Sequence, residues 1–221
     1  MEYFLLLPLC VVYGFAVCFA SQIMLEKNHF EKKIQYFIPQ GKENIIMMIV
    51  VMFMLMLCSV ILNYVYAVSL IENVKLISLL AVLCPAAYTD WNNHIIRNRL
   101  IIGAVCLRAV FFVIELILDF DNALSAGFSG LVAAVVIFVI GFLCSMVLKG
   151  SVGMGDVKLL AVMALFQGAT GIVCSLFVSL LVAFFYCIAA LCLKRKNKKD
   201  IIPFAPALLL GTYISVLLFG F

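Results

Sequence analysis

The stretch ALSAGFSGLVAAVVIFVIGFLCSMVL, residues 123–148, contains 26 residues without a charged side chain. A helix needs about 20 apolar residues to cross the hydrocarbon core of a bilayer. Because lipid offers no hydrogen-bond partners to the backbone, open sheets cannot span a membrane, whereas helices can. This stretch therefore predicts a membrane-spanning α-helix, and it decides the class of fold.

The composition of the whole chain leads to the same class. Of the 221 residues, 67% are hydrophobic and only 12% are charged, whereas soluble domains average about 25% charged residues. No water-soluble fold hides so much apolar surface. We therefore predict an all-α integral membrane protein, and the length suits a single domain over residues 1–221.

Further apolar segments lie on both sides of the first one. We expect helices at about 3–24, 45–68, 71–90, 99–118, 169–193 and 204–221. A shorter segment, about 156–167, would reach only half-way across a bilayer at 1.5 Å per residue, and Gly168 and Gly171 are candidate breaks after it. The pattern predicts a polytopic bundle of seven to eight helical segments. Glu2 stands where a signal peptide would be positive, so we expect the first segment to be retained.

The charged residues between these segments are distributed asymmetrically. If the N-terminus is outside, thirteen of the fifteen basic residues face the cytoplasm: Lys27, Lys32, Lys33, Lys42, Arg97, Arg99, Lys149, Lys158, Lys194, Arg195, Lys196, Lys198 and Lys199. The opposite turns carry Glu72, Asp119, Asp121 and one lysine, Lys75. Because cytoplasmic loops are enriched in lysine and arginine, we predict both termini outside, in the inner (cytoplasmic) membrane. The basic stretch 193–200 is expected to lie against anionic lipid.

Two aspartates stand at the ends of apolar segments, on the side assigned to the cytoplasm. Asp90 ends the third segment in AAYTDWNNHIIRNRL (86–100), and Asp156 opens the short one in GSVGMGDVKLL (150–160). Taken singly, Asp90 could start a polar loop and Asp156 could be a helix N-cap. Ionisable residues at membrane depth are costly and tend to be functional, so together the two suggest a working pair.

Paired carboxylates can hydrolyse a peptide bond. Two carboxyl groups a few ångströms apart share one proton, and they behave as a unit. The ionised group can take a proton from water while the protonated group polarises the carbonyl. Gly153 and Gly155 favour this use, since glycine permits positive φ and close backbone approach.

Three motifs carry a resemblance to known membrane proteases. GMGD, residues 153–156, resembles the GxGD signature of intramembrane aspartyl proteases. Asp90 with Ile96 and Asn98 resembles the D-x5-I-x-N motif of type IV prepilin peptidases, and IIPFAPALLLG (201–211), with Pro203, resembles their terminal Ile-Pro-Phe-x-Pro segment. The resemblance covers roughly residues 76–221.

This resemblance implies a function for the chain. Asp90 and Asp156 would be the catalytic dyad of a GxGD-type aspartic endopeptidase. The enzyme would cut the short basic leader from a prepilin, pseudopilin or flagellin-like precursor at the cytoplasmic face of the membrane.

The sequence departs from that family pattern in two places. Arg97 stands where the family usually has a proline, so the turn after Asp90 is expected to differ. The first loop, EKNHFEKKIQYFIPQGKEN (26–44), has no cysteine, whereas bifunctional members carry paired CxxC motifs there that are linked to N-methylation. The resemblance thus implies a short form, a peptidase without the methyltransferase.

Other polar residues have plainer interpretations. Lys158 could support the ionised dyad or steer a substrate carbonyl, or it could extend to the membrane interface. Arg108 and Glu115 share a helix face about 10 Å apart; we interpret them as structural, either paired with each other or with partners on other helices. The nine cysteines form no CxxC and are interpreted as small buried side chains. We expect no metal, cofactor or nucleic-acid partner.

Two other functions compete with the peptidase. A proton or ion transporter could also use paired aspartates, but it would favour carboxylates near mid-membrane and often an internal repeat. A non-catalytic scaffold for pilus components would tolerate the loss of either aspartate.

Overall fold

The computed structural model describes residues 6–25, 42–147, 153–192 and 203–221. These residues form seven α-helices: α1 Leu6–Leu25, α2 Lys42–Tyr64, α3 Leu70–Asn93, α4 Asn98–Leu118, α5 Phe120–Val147, α6 Met154–Cys192 and α7 Ala205–Phe219. Helices α2 to α6 are long and apolar enough to cross a membrane. The predicted all-α, multi-pass membrane bundle is thereby confirmed. Most residues of the basic loops at 26–41 and 193–202 lie outside the described part.

Several helix boundaries differ from the prediction by a few residues, and polar residues that cap the next helix lie at two of them. α2 ends at Tyr64 rather than near residue 68, and the Ser69 side chain accepts a hydrogen bond from the Glu72 N–H at 3.3 Å to begin α3. α5 begins at Phe120 rather than at 123. Just before it, the Asp119 carboxylate accepts hydrogen bonds from the backbone N–H and the side-chain amide of Asn122. Apolar character alone does not mark such starts.

Gly168 divides α6 into two helices. Its φ of 71° and ψ of −174° are not helical, and glycine adopts a positive φ without steric cost. The first half, residues 154–167, is about 21 Å long at 1.5 Å per residue. The second half turns back towards the end at which α6 begins, since the rings of Tyr186 and Trp91 lie 6.4 Å apart beside Asp90. The separately predicted segments 156–167 and 169–193 are the two halves.

Close helix packing brings these elements together. A Cβ added at Gly211 of α7 would overlap the backbone of Ser179 in the second half of α6, so only glycine permits this contact. Such small residues are typical of membrane helix interfaces, where backbones approach closely. One apolar core joins α3, α4, α5, α6 and α7 around Met163 and Leu208, and a second joins α1, α2, α3 and α7 around Leu62.

The bundle therefore has two distinguishable ends. The aspartate end holds Asp90, Ile96, Asp156 and Ala205, whose contacts are given below. The opposite end holds the α4–α5 junction, Gly168 and the last residues of α7.

The expectation that the cysteines are buried is only partly correct. Cys10 and Cys58 are buried, but Cys106, Cys144 and Cys192 are exposed on the outside of the bundle. In a membrane an outward-facing cysteine meets lipid rather than water, so exposure of this small apolar side chain costs little.

Candidate active site

Asp90 lies inside a helix and not at the start of a loop. α3 continues to Asn93, and the Asp90 side chain is buried, with 7% of the residue exposed. Its Oδ2 accepts a hydrogen bond of 2.9 Å from the backbone N–H of Ala205, the first residue of α7. The first N–H groups of a helix lack intrahelical partners and form its positive end. Asp90 therefore receives its hydrogen bond from the positive end of α7.

Asp156 lies in the first turn of α6. The helix begins at Met154, so Asp156 is its third residue, and the N-cap interpretation is wrong. Its Oδ1 is buried and has no hydrogen-bond partner within the described residues. The Asp90 carboxylate is close enough for its charge to act on Asp156. The two aspartates come from different helices and lie at the same end of the bundle.

The two glycines of the GMGD motif leave room for the site. A Cβ at Gly153 would lie 3.0 Å from Asp156 Oδ2, and a Cβ at Gly155 would lie 3.1 Å from the Cβ of Ile96. Both distances are shorter than ordinary carbon contacts. Neither glycine has a positive φ; within the described part, the glycines that do are Gly168 and Gly220. Close approach, not backbone conformation, is thus the reason for glycine here.

Lys158 joins two of the sequence motifs. Its Nζ donates a hydrogen bond of 3.1 Å to Asn98 Oδ1 at the start of α4. In the described structure its hydrogen bond is to this amide and not to either aspartate. Lys158 and Asn98 therefore tie the start of α4 to the start of α6, next to the contact between Ile96 and Gly155.

Arg97, in the place of the usual proline, has a backbone shape that proline also adopts. It precedes α4 with φ of −77° and ψ of 132°, and proline fixes φ near −65 ± 15°. Arginine thus reaches a φ that proline would also take, and the expectation that the turn after Asp90 differs from that of the family stays a prediction. The Arg97 side chain is partly exposed.

The third motif supplies a group that the sequence analysis missed. Pro203 is buried just before α7, and Pro206 is the second residue of the helix, a place where the absent N–H costs little. Between them, the Ala205 N–H points to Asp90. A backbone donor leaves no trace in residue type, although the two prolines that flank it do mark the start of a helix.

Metal chemistry has no support in the described residues. No three His, Cys, Asp or Glu side chains there cluster closely enough to hold an ion. His94 is exposed at the C-cap of α3, with φ of 52°. The arrangement is suited to acid–base chemistry by two carboxyl groups.

Comparison with known proteins identifies the family. Residues 77–188 match the model of the type IV leader peptidase family. The chain belongs to this family. The match includes both aspartates, both glycines of the GMGD motif, and Ile96, Asn98 and Lys158; it ends before Pro203 and Ala205.

A curated relative supports this membership of the type IV leader peptidase family. The chain is 30% identical over 151 residues to the prepilin leader peptidase/N-methyltransferase of Bacillus subtilis (strain 168). The alignment covers 68% of this chain and 57% of the relative, so the chain spans little more than half of that protein. No solved structure matches the chain.

Proposed function

We propose that the protein is a membrane aspartic endopeptidase that removes the basic leader from a prepilin or pilin-like precursor. The observation that carries this proposal is that Asp90 and Asp156, from two different helices, lie at one end of the bundle, near enough for the charge of one to act on the other. Family membership supports a leader peptidase, and the name of the Bacillus subtilis relative indicates a prepilin substrate.

The geometry suits the chemistry of a carboxyl pair that shares one proton. The ionised carboxylate takes a proton from water, and the oxygen of that water attacks the carbonyl carbon of the scissile peptide. The protonated carboxyl group donates its proton to the carbonyl oxygen. The C–N bond then breaks as the leaving nitrogen takes the proton that the first carboxylate removed from water, and a hydroxyl of the intermediate returns a proton to the other carboxylate, which restores the pair. The Ala205 N–H, which donates to Asp90 Oδ2, stabilises this carboxyl group at the steps in which it is negatively charged. The pair acts as a unit in this scheme.

The charge distribution supports an active site on the cytoplasmic side of the inner membrane. Arg97, Arg99 and Lys158 lie at the aspartate end of the described structure, whereas Asp119 and Asp121 lie at the α4–α5 junction at the opposite end. Positive residues accumulate on the cytoplasmic side. A basic leader in the cytoplasm would then meet the dyad just outside the apolar helix of its precursor.

The proton or ion transporter remains the competing function, but no observation favours it. Both aspartates lie at one end of the bundle instead of near its middle. Asp90 is also bonded to the first N–H of α7, which holds it in place rather than on a path across the membrane.

A cleavage assay tests the proposal. The chain is co-expressed with a candidate prepilin that has a basic leader, a glycine and an apolar helix. We expect cleavage at the leader by the wild type and none by Asp90→Asn or Asp156→Asn, measured by the size and N-terminal sequence of the substrate. Asp121→Asn, an exposed aspartate at the opposite end, is the matched control and should cleave normally.

Two results of the assay would contradict the proposal. Retained cleavage in either Asn variant, at equal protein levels in the membrane, would exclude the dyad. The short first loop also leads us to expect an unmethylated product. The product is made with purified enzyme and a methyl donor. A methyl-sized increment in its intact mass would exclude a peptidase that lacks methyltransferase activity.

A further inference from the structure

Three buried charged residues form a network at the end of the bundle opposite the aspartates. Arg108 Nη1 donates to Glu115 Oε2 at 3.0 Å, and Lys75 Nζ lies 3.1 Å from Glu115 Oε1. The second contact lacks the alignment of a hydrogen bond and is an ion pair. The three side chains are only 8%, 11% and 12% exposed. Arg108 and Glu115 thus pair with each other and also have partners on other helices.

Arg108 also holds the end of the short helix that begins at Asp156. Its Nε donates a hydrogen bond of 2.7 Å to the carbonyl of Leu165. Leu165 lies three residues before the break at Gly168, where the last carbonyls of a helix lack intrahelical partners. These carbonyls form the negative end of the helix, which a cation stabilises.

The network therefore connects the two helices that carry the aspartates. Lys75 lies on α3, about 22 Å along the axis from Asp90. Leu165 lies on the first half of α6, about 14 Å from Asp156. Arg108 and Glu115, both on α4, bridge the two.

The Leu165 carbonyl is also held from the side of α5. A Cβ added at Gly130 would lie 3.2 Å from the Leu165 oxygen and 3.3 Å from the Ala164 oxygen. The end of the short helix thus lies between Arg108 and the backbone of Gly130. Since the helix breaks at Gly168, these contacts act directly on the half that carries Asp156.

We propose that Lys75, Arg108 and Glu115 are positioning residues. They fix the height of the Asp156 helix against the Asp90 helix, and so the separation of the two carboxyl groups. Stability alone is a weak reason for three buried charges, because apolar replacement of a buried ion pair is often neutral or stabilising. In contrast, a misplacement of about 1 Å at an active site can cost about a hundredfold in rate. This inference rests on the proposed peptidase function.

The test replaces the whole network, so that no unpaired charge is left behind. We expect the triple variant Lys75→Met, Arg108→Met, Glu115→Met to fold and to unfold in detergent at the wild-type temperature. Its kcat for leader cleavage should fall by about tenfold to a hundredfold, with KM changed by less than about threefold. Gly130→Ala, which pushes on the Leu165 carbonyl, should show the same pattern. Glu72→Gln, exposed on α3 at the same end, is the control and should retain wild-type kinetics.

A readout without catalysis separates this inference from the proposed function. In Ile96→Cys with Gly155→Cys, the two Cβ atoms would start 3.1 Å apart, and a shift of less than about 1 Å brings them to the roughly 3.8 Å of a disulfide. Its formation rate, followed by peptide mass spectrometry, should fall when the network is replaced. A wild-type cross-linking rate and a wild-type kcat in the triple variant would overturn the positioning role. A cross-link slowed by replacing the network, together with no leader cleavage by the wild-type chain, would contradict only the peptidase.

Discussion

At the scale of single residues, the backbone N–H of Ala205 is the group whose contribution to the site can be removed most cleanly. Ala205→Pro deletes the donor to Asp90, and proline is tolerated at the first position of a helix. A hydrogen bond to a charged group contributes about 1.5–3 kcal/mol, so we expect kcat for leader cleavage to fall by at least about tenfold. Single-turnover assays with saturating substrate measure this step.

Ala205→Gly is the matched control for this prediction. It also changes the residue at the first position of α7 but keeps the N–H, so its cleavage rate should stay close to that of the wild type. An equal loss of cleavage rate in the proline and glycine variants would show that the hydrogen bond to Asp90 does not contribute to cleavage. Unfolding temperatures of both variants in detergent would reveal a general loss of fold.

The residue pattern predicted the two aspartates but not their surroundings. Asn92 and Asn93 after Asp90 indicated a loop, yet the Asn92 side chain donates to the Tyr88 carbonyl at 2.8 Å and the helix continues. That extra turn buries Asp90. The donor from Ala205 could not be predicted at all, since it depends on where α7 begins relative to α3 and not on the type of residue 205.

At the scale of helices, the contact between α6 and α7 depends on one glycine. A Cβ at Gly211 would meet backbone atoms of Ser179, which cannot move aside as a side chain can. Overpacking of this kind costs about 1–3 kcal/mol. We expect Gly211→Ala to lower the unfolding temperature in detergent and, because α7 carries Ala205, to lower cleavage as well.

Gly103 on α4 provides the comparison for Gly211. A Cβ there meets nothing within 4 Å, and alanine is favoured over glycine in a helix by about 1 kcal/mol. Gly103→Ala should therefore be neutral or slightly stabilising in the same melting experiment. If the two variants unfolded at the same temperature, close packing at Gly211 would not be a source of stability.

The positions of helices were largely predictable because apolar length is a direct signal of a membrane span. Apolar length does not predict the hydrogen bonds at Ser69 and Asp119, where α3 and α5 begin, because these bonds depend on local polar side chains. The break in α6 was anticipated at Gly168 or Gly171. Only the backbone, with its positive φ at Gly168, decides between them.

At the scale of the whole molecule, the loop charges and the fold distinguish the same two ends of the bundle. Of the described basic residues, Arg97, Arg99 and Lys158 accompany the aspartates. Lys75 and Arg108 are paired with Glu115 towards the other end, where the acidic α4–α5 junction lies. Composition alone predicted a membrane bundle, and motif spacing predicted its family. The single peptidase domain and the orientation of the bundle stay predictions, because the structure contains no membrane.

Labelling of introduced cysteines from outside the cell tests this orientation. Asp121→Cys and Asn92→Cys place thiols at exposed sites on the opposite end and the aspartate end, respectively. Because positive residues prefer the cytoplasm, a membrane-impermeant maleimide should label Asp121→Cys in intact spheroplasts and Asn92→Cys only after permeabilisation. The parent protein gives the background from native cysteines. The reverse labelling order would place the dyad outside, where a leader that remains in the cytoplasm could not reach it, and would therefore contradict the proposed cleavage as well as the topology.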